Sequence, residues 1–222
     1  MSNNNQSTNN KSNNNQSTNN KSNNNQSNNR KNNNNMINNA LNKLKLSSNS
    51  NMVKNLLDNG DKIFIKFDND ILDKNGKLYD SFITKISPFI KLNDLNNDDL
   101  YTLAIIDPDL PENAPNKLYL HLMISNIKGD DITSGTVIRR YHNPRPPFGE
   151  THRYFIILLK QDNEISPNSL KNNKTNNNNR RPREPRLFES VVEIMDKCCK
   201  DMNLEPLAIR YFKVKSDRRE RN

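Results

Sequence analysis

The sequence predicts a mainly β protein, a two-sheet antiparallel sandwich with a few peripheral helices, built from the part of the chain after Met52. Three observations carry that prediction. Apolar residues crowd into this region although they are only 32% of the whole chain. They fall into short β-branched or aromatic runs bounded by Asp, Asn, Gly and Pro. Helical spacing of apolar residues is confined to two stretches.

The elements follow in order. Residues 1–35 repeat a ten-residue unit, KSNNNQSTNN, whose polar side chains offer no apolar face and cannot offset the entropy of ordering. Residues 1–50 are therefore expected to form a disordered tail, and residues 51–215 one domain. A short helix is expected at Met52 to Leu57, ended by Asn59 and Gly60. Ile63, Ile65 and Phe67 then alternate with Phe64 and Lys66 as in a half-buried strand. Leu100 to Ile106, Leu118 to Ile127, His152 to Leu159 and Leu207 to Val214 read as further strands. An Asn-rich tract, Asn172 to Asn179, followed by Arg180, Arg181 and Arg183, reads as a flexible insert at about 163–183. After it, Leu187, Val191, Ile194, Met195 and Cys198 recur at helical spacing within Glu184 to Cys199, a stretch with no Gly and no Pro beyond Pro185 in its first turn. Residues 216–222 form a basic tail.

Composition bounds the function. The net charge of +9 sits at the ends: residues 1–50 carry +6, residues 51–179 carry −1 and residues 180–222 carry +4. A nearly neutral body without a basic, aromatic-interleaved stripe in its central strands argues against nucleic acid as a partner, leaving binding through the basic tails as an alternative. Cys198 and Cys199 are adjacent, so they build neither a disulfide framework nor a four-ligand zinc site. Without a long apolar run or a secretory signal, the expectation is a soluble cytoplasmic protein, or one packaged in virions if its owner is a virus.

The candidate chemistry lies in three segments. Asp107-Pro108-Asp109-Leu110-Pro111 follows the run LYTLAII, placing two carboxylates at a strand end stiffened by prolines. His121 lies within LYLHLMISN, where strict alternation groups it with Tyr119 and Met123, opposite Leu120 and Leu122. In GETHRYFIILL, His152 and Tyr154 share one strand face and Arg153 takes the other, where a structural ion pair is its expected role. Together these residues point to an anion pocket. Imidazole N–H groups and a phenol donate to phosphate oxygens, with a nearby carboxylate holding the rings cationic, and each such bond contributes roughly 1.5 to 3 kcal/mol. The rival reading is a metal-assisted hydrolase built on His121, His152, Asp107 and Asp109. HExxH, P-loop, GxSxG and CxxC patterns are all absent from the sequence, so neither an enzyme nor a cofactor is expected.

The segments LYTLAIIDPDLP, LHLMISNIKGDDITSGTVI and PRPPFGETHRYFIILLKQ together resemble the phosphatidylethanolamine-binding protein family, which includes the Raf kinase inhibitor protein. The resemblance implies a Greek-key sandwich with a small cavity near one end that binds phosphate or a phosphorylated head group without catalysis. It also implies regulation of a kinase or protease partner. By matching position, Asp107, Asp109, Pro111, His121, His152 and Tyr154 would line or support the cavity. Arg145 stands where members commonly have glycine, and would either narrow the pocket or add a cation to it. The C-terminal helix that covers the pocket in animal-type members is expected to be missing.

Overall fold

The computed structural model describes residues 31–32, 34–42, 50–109, 118–165 and 204–216. Helix α1 covers 34–42. Helix α2 (Ser50–Asp58) runs into a single 3-10 turn, Asn59–Lys62. The strands among the described residues are β1 (Ile63–Phe67), β2 (Asp70–Ile71), β3 (Lys77–Asp80), β4 (Phe89–Leu92), β5 (Leu100–Asp107), β6 (Tyr119–Lys128), β7 (Thr136–Arg139), β8 (Thr151–Gln161) and β9 (Leu204–Lys215). They form two sheets, one of order β2-β1-β4 and one of order β3-β9-β8-β5-β6-β7. The mainly β, two-sheet expectation holds, with one difference: β3 pairs with β9 in parallel, while the other pairings are antiparallel.

The large sheet is covered on both faces, which explains why its central strands read as continuous apolar runs. Toward the small sheet, Tyr101, Leu103, Ile105, Tyr154, Ile156, Leu158 and Phe212 pack with Ile63, Ile65, Phe67 and Leu92. Toward the helices, Ala104, Ile106, Phe155, Ile157, Leu159, Ile209 and Tyr211 pack with Val53 and Leu56 of α2. The Arg210 guanidinium stitches the layers by donating to the carbonyls of Ile63 and Leu72.

One expectation changes, and two lie outside the described residues. Residues 1–50 do not all stay outside the core: Ile37, Ala40 and Leu41 of α1 are fully buried against the helix-side cluster. Their spacing places them on one helical face that the surrounding Asn residues disguise. The boundary at residue 50 is thus drawn too late. The helix expected over 184–199 and the Asn/Arg tract at 172–183 lie outside the described residues. Among the described residues, no helix is long and apolar enough to cross a membrane.

At the far end of the large sheet a buried polar network closes the sandwich. The Asn126 side chain accepts from Ile165 N and donates to Ile165 O, each at 2.8 Å, and Gln161 donates to Asn126 Oδ1 at 3.1 Å. Thr102 donates to Gln161 Oε1 at 2.7 Å. Each buried polar group here has a partner, so the network fixes the residues leaving β8 rather than offering a site.

Candidate functional site

The other end of the large sheet gathers most of the expected residues. β5 ends at Asp107, and β8 and β6 flank it on either side. Asp107 is buried, and its Oδ1 accepts from Asp109 N at 2.8 Å, an Asx-type turn that fixes the chain as it leaves the strand. Its Oδ2 meets His152 Nδ1 at 2.8 Å, and His152 Nε2 faces Glu150 Oε2 at 3.3 Å. With both nitrogens against carboxylates the ring is drawn to its doubly protonated form. Burial lowers the His152 pKa, but the Asp107 hydrogen bond and charge, with Glu150 and Asp109 behind them, outweigh it and raise the pKa above its ordinary value.

Asp109 has a different task. Its Oδ2 accepts from both Arg153 N and Arg153 Nε, and its Oδ1 from Arg153 Nη2, all at 2.8 Å. This bidentate pair staples the 107–109 turn to β8. Arg153 has the structural ion-pair role expected of it, and Asp109 shapes the site without presenting a free oxygen to it.

His121 reaches the site through an irregularity that alternation does not foresee. The β5–β6 register pairs Ile105 with Leu122 but Ile106 with Leu120, so His121 is the extra residue of a bulge. Leu122 therefore belongs to the cluster between the sheets, while Leu120 and Met123 join the helix-side cluster. His121 faces Tyr154, whose ring it meets edge-on with centroids 5.0 Å apart.

His121 Nδ1 lies 2.6 Å from the carbonyl oxygen of His142, and His142 N donates to His121 O at 2.7 Å. A carbonyl only accepts, so Nδ1 carries the proton and Nε2 of the neutral ring is an acceptor. Burial pulls the His121 pKa down to about 4, against the raising effects of the His142 carbonyl and Asp107. The expected pair of cationic donors is thus half correct: the direction holds for His152 and reverses for His121, where loss of water outweighs the carboxylate.

Two polar atoms at this point are buried without a partner, His121 Nε2 and Tyr154 Oη. Tyr154 itself is fully buried, its ring stacked on Phe212 at 5.2 Å. Burial first, then the Asp107 carboxylate, push its phenol above the ordinary value. An orphaned buried polar atom costs about 1 to 3 kcal/mol, and the Asp107 carboxylate is the polar group that acts most on the Tyr154 phenol. An open depression of about 480 Å³ at this end of the sheet is lined by Asp109, Glu150, Thr151, His152, Arg153 and Lys213, and not by His121 or Tyr154.

Asp107, His121, His152 and Tyr154 thus come together. Arg145 is exposed on the following loop, between buried Pro144 and Pro146. Pro111 lies outside the described residues. Sequence reasoning missed His142, which contributes a backbone carbonyl and so leaves no side-chain signal. It also missed Glu150, whose position two residues before His152 on the same strand face was the available clue.

The fold is a β-sandwich whose large sheet ends in a buried carboxylate–imidazole pair near buried phenol and imidazole groups. The model of the phosphatidylethanolamine-binding protein family matches residues 65–181, and the chain belongs to that family. A curated relative, the putative odorant-binding protein A5 of Drosophila melanogaster, is 34% identical over 104 residues, 46% of this chain and 49% of the relative. The chain spans about half the length of that relative. Among solved structures, a phosphatidylethanolamine-binding protein from Plasmodium vivax is similar at 21% identity and a TM-score of 0.48, covering 69% of this chain and 84% of that one. A carboxypeptidase Y inhibitor complexed with its cognate proteinase is similar at 18% identity and a TM-score of 0.48, covering 69% and 82%.

Proposed function

We propose that this chain is a non-enzymatic binding module that holds a phosphate-bearing group at the Asp107 end of the large sheet and, so loaded, modulates a kinase or protease partner. The observation that carries this reading is the buried Asp107–His152 pair at 2.8 Å set against the unpartnered Tyr154 Oη and His121 Nε2. A protonated His152 and the Tyr154 hydroxyl donate to anionic oxygens, while neutral His121 accepts a proton from a ligand O–H or N–H. Asp107 orients the imidazole, and Asp109 holds the turn that carries Asp107. Arg145 is the cation nearest in sequence to the buried proline pair, and it tunes anion affinity from the rim. The binding unit runs from α1 to β9.

Supporting a binding role, the family is described by a phospholipid it binds and the Drosophila relative by odorant binding. Among the described residues, no group of three or more His, Cys, Asp or Glu is arranged to hold a metal ion. Calorimetric titration with phosphoethanolamine tests the reading. Replacing His152 by Ala should weaken binding by roughly 1.5 to 3 kcal/mol, the range for a charge-assisted hydrogen bond. Unchanged affinity would remove the site.

A further inference from the structure

His152 has one ring nitrogen fixed and one available, and the available one is already taken. Nδ1 is held by Asp107 Oδ2 at 2.8 Å, with the Asp107 side chain only 6% exposed. Nε2 faces Glu150 Oε2 at 3.3 Å, and the Glu150 side chain is 60% exposed. The first contact is short and sealed. The second is longer and solvated, so it exchanges for another anion at little cost.

The backbone beneath Glu150 is fixed, which confines any movement to its side chain. Glu150 N donates to Pro147 O at 2.9 Å, Ser216 N donates to Glu150 O at 3.2 Å and Gly149 N donates to Ser216 O at 2.8 Å. Gly149 makes this turn at a φ of +81°, a conformation that residues with a Cβ rarely adopt.

The charges around His152 balance only while Glu150 is in place. From β5 and the turn after it come Asp107 and Asp109; from β8 and its approach, Glu150 and Arg153; from β9, Lys213, with apolar Val214 directly across from His152. Arg153 and Lys213 are cross-strand partners, an arrangement that like charges disfavour. Asp109 neutralises Arg153. Lys213 has no ion pair among the described residues, and it lines the depression beside Glu150. Against the His152 ring itself stand two carboxylates, Asp107 and Glu150, so a protonated His152 offers an arriving phosphate no net attraction until Glu150 withdraws.

We propose that Glu150 is a built-in competitor for the ligand: its carboxylate stands in for the anion on His152 Nε2 in the empty protein and swings into solvent when a phosphate monoester or free phosphate seats there. This deepens the phosphate-binding reading above and rests on it. Glu150 sets the affinity threshold of the site and selects for anions that hold His152 more strongly than a carboxylate does.

The test compares wild type, Glu150→Gln, Glu150→Ala and His152→Ala, each first shown folded by a thermal melt. Inorganic phosphate and phosphoethanolamine are titrated calorimetrically at fixed ionic strength, and the His152 ring is titrated by NMR without ligand. Both Glu150 variants should bind both probes roughly tenfold more tightly. Their His152 midpoint should fall, because a carboxylate that favours the charged ring is gone. Gain with phosphoethanolamine alone would assign the site to the monoester, and gain with both to the phosphate group itself. Equal affinity in wild type and the Glu150 variants, with binding still lost in His152→Ala, would overturn the competitor and leave the phosphate site standing. Weaker binding in the Glu150 variants would overturn it too, by making Glu150 a ligand contact. Binding indifferent to His152→Ala, or absent from all four proteins, would overturn the site and the competitor together.

Discussion

Acidification from pH 7 to pH 4.5 should cost the protein about 2.5 kcal/mol of stability through His121 alone. The folded ring titrates near 4 because burial opposes its charge, against 6.5 for an ordinary histidine. Between those values the unfolded chain takes up a proton that the folded protein refuses, so stability is fully present above about 6.5 and falls with pH. Each pH unit in that window removes about 1.36 kcal/mol, and pH 4.5 lies about two units below the unfolded midpoint. His152 acts with the opposite sign. Its raised pKa contributes stability that is complete below about 6.5 and lost as pH rises through its folded value. Urea denaturation in half-unit pH steps, on wild type and His121→Asn, separates the two, because His152 and the carboxylates contribute to both proteins and cancel in the difference. Asn keeps a donor for the His142 carbonyl but does not titrate. The wild-type curve should fall away from that of the variant as pH drops below about 6.5. Parallel curves down to pH 4.5 would show that His121 is hydrated or charged in the folded state, and would refute the neutral-acceptor assignment.

Tyr154→Phe removes an orphaned hydroxyl. The empty protein should therefore melt at the same temperature or higher, by up to about 1 kcal/mol, while phosphoethanolamine binding weakens; a loss of stability without change in affinity would contradict the site. Leu41→Ala should cost about 2 to 5 kcal/mol in a urea titration because the side chain is wholly buried, whereas removing residues 1–30, which contain no apolar residue after Met1, should leave the transition in place. Arg145→Gly should alter phosphate affinity without moving the melt, since the residue is exposed; weaker binding would mean that the guanidinium attracts the anion, tighter binding that it obstructs, and no change that it lies apart from the site.

How much of this was legible depended on how many faces a strand buries. β5, β8 and β9 are covered on both sides, so LYTLAII, YFIILL and LAIRYFKV stand out as runs whatever their pairing. β2, β3, β4 and β7 are short, partly exposed and each carries a charged residue, and their pairing is decided by the sheet they join. β3 is the extreme case, since nothing in KLYD specifies a parallel alignment on β9. Helix α1 was hidden by composition: Met36, Ile37, Ala40 and Leu41 have the spacing of a buried helical face, but their Asn-rich surroundings continue the character of the repeat before them. At the site, the strand-end residues Asp107, His152 and Tyr154 were recoverable by alternation. The surroundings of His121 were not, because one inserted residue reverses the facing of everything beyond it, and Leu122 and Met123 exchanged sides accordingly.

That bulge also gives the site its asymmetry. A regular strand would pair His121 with β5 and leave the imidazole pointing along the alternation, with no reason for either nitrogen to be preferred. His121 lies against the backbone of residue 142, where one carbonyl at 2.6 Å fixes the proton on Nδ1 and leaves Nε2 as a lone pair. On the opposite side of β5, two carboxylates fix the reverse arrangement on His152, which holds protons on both nitrogens. Two histidines that look interchangeable in the sequence therefore hold their protons differently, with the Tyr154 ring edge-on to His121. A ligand that satisfies both must present an anionic oxygen to His152 and a proton to His121. A phosphate monoester in its singly protonated form carries both on one phosphorus, and with a second pKa near 6 that form is abundant in mildly acidic solution. A diester has no such proton, and unless its head group supplied an O–H or N–H it would leave the His121 lone pair as it stands in the empty protein, buried and unanswered.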